Sequence, residues 1–162
     1  MDYGCSRFLT FLPEAIDKFA AFGEIVRNCS VFDQIADRHA FLESVIKREK
    51  LQSTGIGHSV AIAHGKVPYL DRTRIALGLS QDGIRFDDIF PQPVHLVFLI
   101  ASCPTKQTEY VKALSSLLSW VHDDELRACL IEHRFTSSRA AGFMSMMESQ
   151  DFRPADQQTS SL

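Results

Sequence analysis

Apolar positions along the chain change their spacing several times, and each change predicts an element. Phe8 to Leu12 is a short aromatic and apolar run closed by Pro13, which reads as an edge strand or extended arm. Ile16, Phe19, Ala20, Phe22 and Val26 then share one face of a helix. A second helix, beginning near Asp33, carries Ile35, Leu42, Val45 and Ile46 and ends in the charged cluster Lys47-Arg48-Glu49-Lys50. From Gln52 onward Gly, Ser and Thr interrupt the pattern until Ser59-Val60-Ala61-Ile62-Ala63, a buried strand that stops at His64-Gly65. Arg74 to Leu79 predicts another strand, with Gln81-Asp82-Gly83 as a hairpin turn and Ile84-Arg85-Phe86 as the returning segment. Leu96 to Ala101 is apolar on both faces, the pattern of an interior strand covered by helices on each side.

The last third is helical. Val111, Leu114, Leu118 and Val121 mark one face, widened by Leu117 and Trp120. Asp123 or Asp124 caps the next helix, through Leu126, Cys129 and Leu130, and Ser137 or Ser138 caps a final one carrying Ala141, Phe143, Met144 and Met147 as core filling. The order β-α-α-β-β-β-β-α-α-α predicts an α/β fold bordering on α+β: three layers, with a mixed sheet of four to five strands between helices. Residues 1–148 are expected to form one domain, and the polar stretch 149–162 a disordered tail.

Composition narrows the function. With 17 Lys+Arg against 20 Asp+Glu among 162 residues, the net charge is −3 and the pI about 6.0, which argues against a nucleic-acid binder that lives off phosphate neutralisation. The longest apolar stretch, Val94 to Ala101, is interrupted by His95 and is far short of the ~20 residues that span a bilayer. The N-terminal segment lacks a basic region followed by a long apolar run, so a cytoplasmic protein is expected, without membrane insertion. Cys5, Cys29, Cys103 and Cys129 form no Cys-x-x-Cys pair and read as reduced thiols. Cys129 and His133 stand one helical turn apart, but no second pair completes a tetrahedral metal site.

Three constellations carry candidate chemistry. Gly57-His58-Ser59-Val60-Ala61 imitates a nucleophile elbow, but a Gly-rich stretch precedes Ser59 and a strand follows, the reverse of what an elbow needs. His64 stands at a strand end, where sites in helix-flanked sheets gather, and Gly65 beside it would let a bulky group approach the imidazole. A fold-back of the Gly-rich segment would bring Arg48, Glu49 and Thr54 to His64, giving a guanidinium fork and a hydroxyl donor suited to phosphate. Position alone also leaves His64 readable as a capping or surface residue and Arg48 as an ordinary solvated helix end, while His95 reads as a partly exposed structural histidine.

Arg48-Glu49-Lys50-Leu51-Gln52-Ser53-Thr54-Gly55-Ile56-Gly57, followed by Ala61-Ile62-Ala63-His64-Gly65-Lys66, resembles the active-site segment of the fructose/mannitol-type IIA domains of the bacterial phosphotransferase system. The nitrogen-regulatory IIA proteins are the branch it looks most like, and the spacing of 16 between Arg48 and His64 fits. The resemblance extends over most of residues 14–148.

It implies a phosphotransferase in which His64 takes a phosphoryl group from the phosphohistidine of the small carrier HPr. The group then passes to a IIB domain, or serves as a signal to a kinase or transporter. Arg48 would bind phosphoryl oxygens, and Thr54, Glu49 and Gly65 would line the pocket. No metal or organic cofactor is implied. Two positions depart from the family pattern. Ala63 replaces the proline before the histidine, which frees φ and restores an N–H, loosening the histidine's placement. Tyr110, after Glu109, stands where the family carries a second histidine, and it offers a hydroxyl donor without positive charge. His58 is a candidate for partly replacing that imidazole. The alternative to a phosphocarrier is a binding module that acts by direct protein contact.

Overall fold

The computed structural model describes residues 6–14, 16–87 and 92–156. Cys5 and the end of the chain from residue 157 lie outside the described residues. In chain order the elements are β1 (Leu9–Phe11), α1 (Lys18–Asn28), α2 (Arg38–Leu51), β2 (Gly55–Gly57), β3 (Val60–Lys66), β4 (Arg74–Ile84), β5 (Val94–Ser102), α3 (Gln107–Val121), α4 (Asp124–Ile131) and α5 (Ser138–Ser149). The five strands form one sheet ordered β1-β4-β5-β3-β2. β1 runs parallel to β4 and β3 parallel to β5, while β4–β5 and β2–β3 are antiparallel, so the sheet is mixed as the sequence predicts.

Alternation of side chains gives the sheet two unlike faces. Ala61, Ala63, Gly65, Ala76 and Gly78 share the face toward α1 and α2. Their small size lets the helices come close: a Cβ on Gly65 would lie 2.7 Å from Val45 Cγ2 and 3.0 Å from Phe41. Ile62, His64, Leu77, Phe98 and Ile100 occupy the opposite face, where Phe98 meets Phe143 of α5 edge-on at 6.1 Å and His64 meets Tyr110 of α3. β5 is central and buried along its length apart from His95, whose Nδ1 pairs with the Ser80 carbonyl at 2.8 Å.

Several boundaries differ from the sequence reading. α2 begins at Arg38, where Asp37 accepts from Ala40 N, and Ile35 lies before the helix. The segment Gln81-Asp82-Gly83 is not a hairpin turn. β4 runs through it, and the register moves from Leu79↔Leu96 to Ile84↔Val94, so four residues bulge opposite His95. Gly83 does take a positive φ of 87°, but to shape that bulge, with its N–H donating to Ser80 Oγ. β3 continues two residues beyond His64, and the Gly-rich stretch contributes a strand of its own, β2.

Nor is the polar C-terminal stretch disordered where it is described. Gln150 is buried in a left-handed conformation, and its side-chain amide accepts from Ile75 N at 2.7 Å and donates to Ile75 O at 2.9 Å, standing in for a strand neighbour. Trp120 Nε1 donates to Arg153 O, and Ala155 N donates to Ser119 Oγ. These polar residues are ordered because they satisfy backbone and indole groups that the helices and β4 leave open, a reason that composition cannot register.

Gly65→Ala is expected to destabilise the chain by about 1–3 kcal/mol, because the added methyl must displace α2 from β3. Chemical denaturation checks this; a change below about 0.5 kcal/mol would mean that α2 does not press on β3 there.

Candidate functional site

Phe41, Val45 and Glu49 are the buried residues of α2, spaced one helical turn apart along a single stripe. The stripe that packs Phe41 and Val45 onto β3 therefore carries the Glu49 carboxylate inward as well. A carboxylate without exposed surface is costly unless it is paired and hydrogen-bonded. Lys18 of α1 supplies the charge, with its Nζ 3.0 Å from Glu49 Oε1. Thr54 N donates to both carboxylate oxygens, at 3.1 and 3.2 Å, and Thr54 Oγ1 donates to Oε2 at 2.5 Å. The Thr54 hydroxyl is thus committed to Glu49 rather than offered to a phosphate, and Thr54 shapes the site from behind.

Arg48, one position before Glu49, is rotated about 100° around the helix onto the half-buried rim. Its Nη1 donates to Gln52 O at 2.8 Å, closing a carbonyl that the end of α2 leaves open. β2 pairs only with the first residues of β3, so the sheet is open on that side at His64. Ile62 N donates to Thr54 O and Lys66 N to Ser44 Oγ, and by alternation the His64 N–H faces the same open edge. The Ala63 N–H faces β5, and β3 pairs with β5 without interruption from Val60 to Lys66. Alanine in place of proline therefore keeps His64 within a continuous strand pairing.

The His64 and Tyr110 rings stand 5.7 Å apart between centroids, inclined at 48°. Burial, followed by the positive charges of Arg48 and Lys66, holds the His64 imidazole below its ordinary pKa, while Glu49 pulls the other way. Burial pushes the Tyr110 phenol up, against the opposing influence of Arg48. The arrangement is a neutral, half-buried imidazole with a protonated phenol across from it and two cations on its rim. A neutral imidazole keeps a free ring lone pair, which can serve as base, metal ligand or nucleophile.

Other sequence candidates fall away from this cluster. His58 is exposed in the turn between β2 and β3, with φ 56°, at the opposite end of the strand from His64. At about 3.3 Å per residue the four positions from Val60 to His64 alone span roughly 13 Å, so His58 does not replace a second imidazole. Gly65 faces α2, so its missing side chain serves helix packing and not the approach of a ligand. Ser59 sits in the same turn with φ 67°, and no helix follows it, which excludes the nucleophile elbow. His133 stacks on Phe135 and meets Phe11 at a tilt, and Cys129 Sγ accepts from Ser137 Oγ. A cavity of about 260 Å³ lined by Gly55, Ile56, Ser59 and Phe86 lies at the hairpin end of β3, away from His64. Among the described residues no group of three or more His, Cys, Asp or Glu is placed to hold a metal, and no helix is long and apolar enough to cross a membrane.

Sequence reasoning misses Lys18. It precedes the apolar face of α1 as an ordinary charged position, and only the discovery that Glu49 is buried would prompt a search for its cation.

The His64 titration midpoint, followed by the imidazole proton resonances with a His64→Ala variant for assignment, is expected below the ordinary value of about 6.5. A midpoint above that value would show that Glu49 outweighs burial, Arg48 and Lys66.

The family described as phosphoenolpyruvate-dependent sugar phosphotransferase system, EIIA 2, matches residues 6–137. The PTS system fructose-specific EIIABC component of Bacillus subtilis is 34% identical over 119 residues, 74% of this chain and 19% of that protein. A nitrogen regulatory protein of Bradyrhizobium diazoefficiens is 32% identical over 90 residues, 56% of this chain and 59% of that protein. The chain thus spans less than two thirds of either relative. The crystal structure of nitrogen regulatory protein IIA-Ntr from Neisseria meningitidis has a TM-score of 0.69 at 24% identity, covering 88% of this chain and 94% of that one. The mannitol enzyme IIA of Escherichia coli, solved in complex with phosphorylated enzyme IIB, gives 0.63 at 21% identity, covering 83% and 91%. Identity this low shows the fold alone, but the family match covers most of the chain. The chain belongs to the EIIA 2 family of the phosphoenolpyruvate-dependent sugar phosphotransferase system, a family of phosphotransfer domains.

Proposed function

We propose that His64 is the phosphoryl acceptor, and that it is loaded by the phosphohistidine of an HPr-like carrier. The observation that carries this reading is the imidazole itself: half-buried, held neutral by burial and by Arg48 and Lys66, and set at an open sheet edge opposite Tyr110. The bare ring nitrogen of His64 attacks the phosphorus of the carrier's phosphohistidine. A new P–N bond forms as the old one breaks, and the carrier leaves as neutral imidazole because its far ring nitrogen keeps a proton. The far nitrogen of His64 also keeps its proton, so no proton is consumed. Arg48 stabilises the equatorial oxygens in flight, and Tyr110 donates its hydroxyl to one of them. Glu49 and Thr54 position these groups without touching the phosphoryl.

We infer a regulatory role of the nitrogen type for the phosphorylated form, supported by the 32% identity to a nitrogen regulatory protein. Here the state of His64 would be read by a partner such as a kinase or transporter. Delivery to a IIB cysteine is the second reading, favoured by the longer match to the fructose-specific component and by the solved mannitol IIA–IIB complex. A binding module that never takes phosphate would leave the lowered imidazole pKa and the cationic rim without a use. Action in the cytoplasm follows from the same proposal, since the carrier must reach His64.

Incubation with phosphoenolpyruvate, enzyme I and HPr is expected to add one acid-labile phosphoryl mass to the parent and none to His64→Ala. A carrier that loads a control IIA protein but leaves the parent unmodified contradicts the proposal. In the same assay, transfer onward to an added IIB domain would replace the regulatory reading with the sugar-transport one.

A further inference from the structure

Lys18 opens α1, thirty residues before the segment that holds Arg48 and His64. Its ammonium donates to Glu49 Oε1 at 3.0 Å and to the Phe86 carbonyl at 2.8 Å, and it lies 5.4 and 5.6 Å from the ring centroids of Phe19 and Phe86. Two oxygen acceptors and two aromatic faces make it a fixed point charge, with only 19% of its side chain exposed. Its partner carboxylate has no exposed side-chain surface at all.

From that pair a chain of contacts runs to the site. Glu49 holds Thr54 by N–H and hydroxyl, the Thr54 carbonyl accepts from Ile62 N, and Ile62 is two residues from His64 on the same strand. On the other side Glu49 follows Arg48 in the helix, and Arg48 spans to Gln52 in the turn that Thr54 completes.

We propose that Lys18 is a positioning residue for chemistry at His64: through Glu49 it anchors the Thr54 turn, and it neutralises the carboxylate buried at the end of α2. This rests on the reading of His64 as acceptor. The ring across from His64 is Tyr110 of α3, and the charges that act on His64 are Arg48 and Glu49 from α2 and Lys66 from its own strand, with Lys18 reaching Glu49 from α1. Glu49 is the one that favours the imidazolium form. Removing the Lys18 charge leaves that carboxylate uncompensated, so more of the imidazole is protonated near neutrality. A protonated ring has no lone pair with which to attack phosphorus.

Lys18→Met keeps the aliphatic stem against Phe19 and Phe86 and removes the ammonium, while Lys18→Arg keeps the charge. The His64 titration midpoint is expected to move to higher pH in Lys18→Met and to stay near the parent value in Lys18→Arg. The rate of phosphoryl acceptance from phospho-HPr at pH 7 is expected to fall about tenfold in Lys18→Met and to recover in part at pH 8.5, which a purely structural loss would not do. Should Lys18→Met fail to fold, Lys18→Gln, which retains a donor for Glu49 without charge, repeats both measurements. A folded, uncharged variant with an unmoved or lowered midpoint, or with the parent's rate at every pH, overturns the proposal. The titration needs no carrier. A parent that titrates as described but never accepts phosphate refutes the acceptor reading, while the Lys18–His64 coupling is still measured.

Discussion

An anion taken wholly out of water must be met by a cation and by hydrogen-bond donors, or the segment that carries it will not stay folded. In this chain the anion is Glu49, brought inside by the same α2 stripe that packs Phe41 and Val45 on β3. Satisfying it commits three other parts of the molecule. Lys18 must come in from α1, the Phe86 carbonyl must accept from the same ammonium, and Thr54 must turn its N–H and hydroxyl back toward the end of α2. The turn fixed in this way ends α2, starts β2 and frames the strand that presents His64. A local demand of electrostatics thus becomes the geometry of the site.

The two faces of the sheet divide the labour. Small residues on one face let α2 lie close enough to bury Glu49, and Gly65 is the tightest of these contacts. The neighbouring position, His64, necessarily points to the other face, where α3 brings Tyr110 opposite it. Arg48 from α2 and Lys66 from the end of β3 act on the histidine by their charge. Two layers built on opposite faces therefore act on one imidazole, and burial with the two cations holds its pKa below the ordinary value.

Much of this was legible in the sequence. The order of elements, the central position of β5 and the caps at Asp123 and Ser137 follow from local periodicity and short-range hydrogen bonding. The return of Thr54 to the end of α2 was legible from the fold-back of the Gly-rich segment, and the place of Tyr110 across from His64 from the family resemblance. What escaped is whatever depends on contacts distant in sequence. The bulge at Ser80–Gly83 looks like a hairpin turn because its residues are turn-formers, and only the pairing with β5 shows that the strand continues. Gln150 reads as the start of a polar tail because its partner, the backbone of Ile75, is 75 residues away. His58 and His64 are close in number, yet the strand between them carries them to opposite ends. Lys18 carries no local mark, since its role is set by a carboxylate on another helix.

The central claim is that this framework presents a neutral imidazole as a phosphoryl acceptor, and one spectrum addresses it directly. Protein labelled with ¹⁵N-histidine, exposed to the phosphorylated carrier, is predicted to show a phosphorus resonance coupled through one bond to a single ring nitrogen of His64. A phosphorus signal confined to the carrier, or coupled to any other histidine of the chain, would contradict the account.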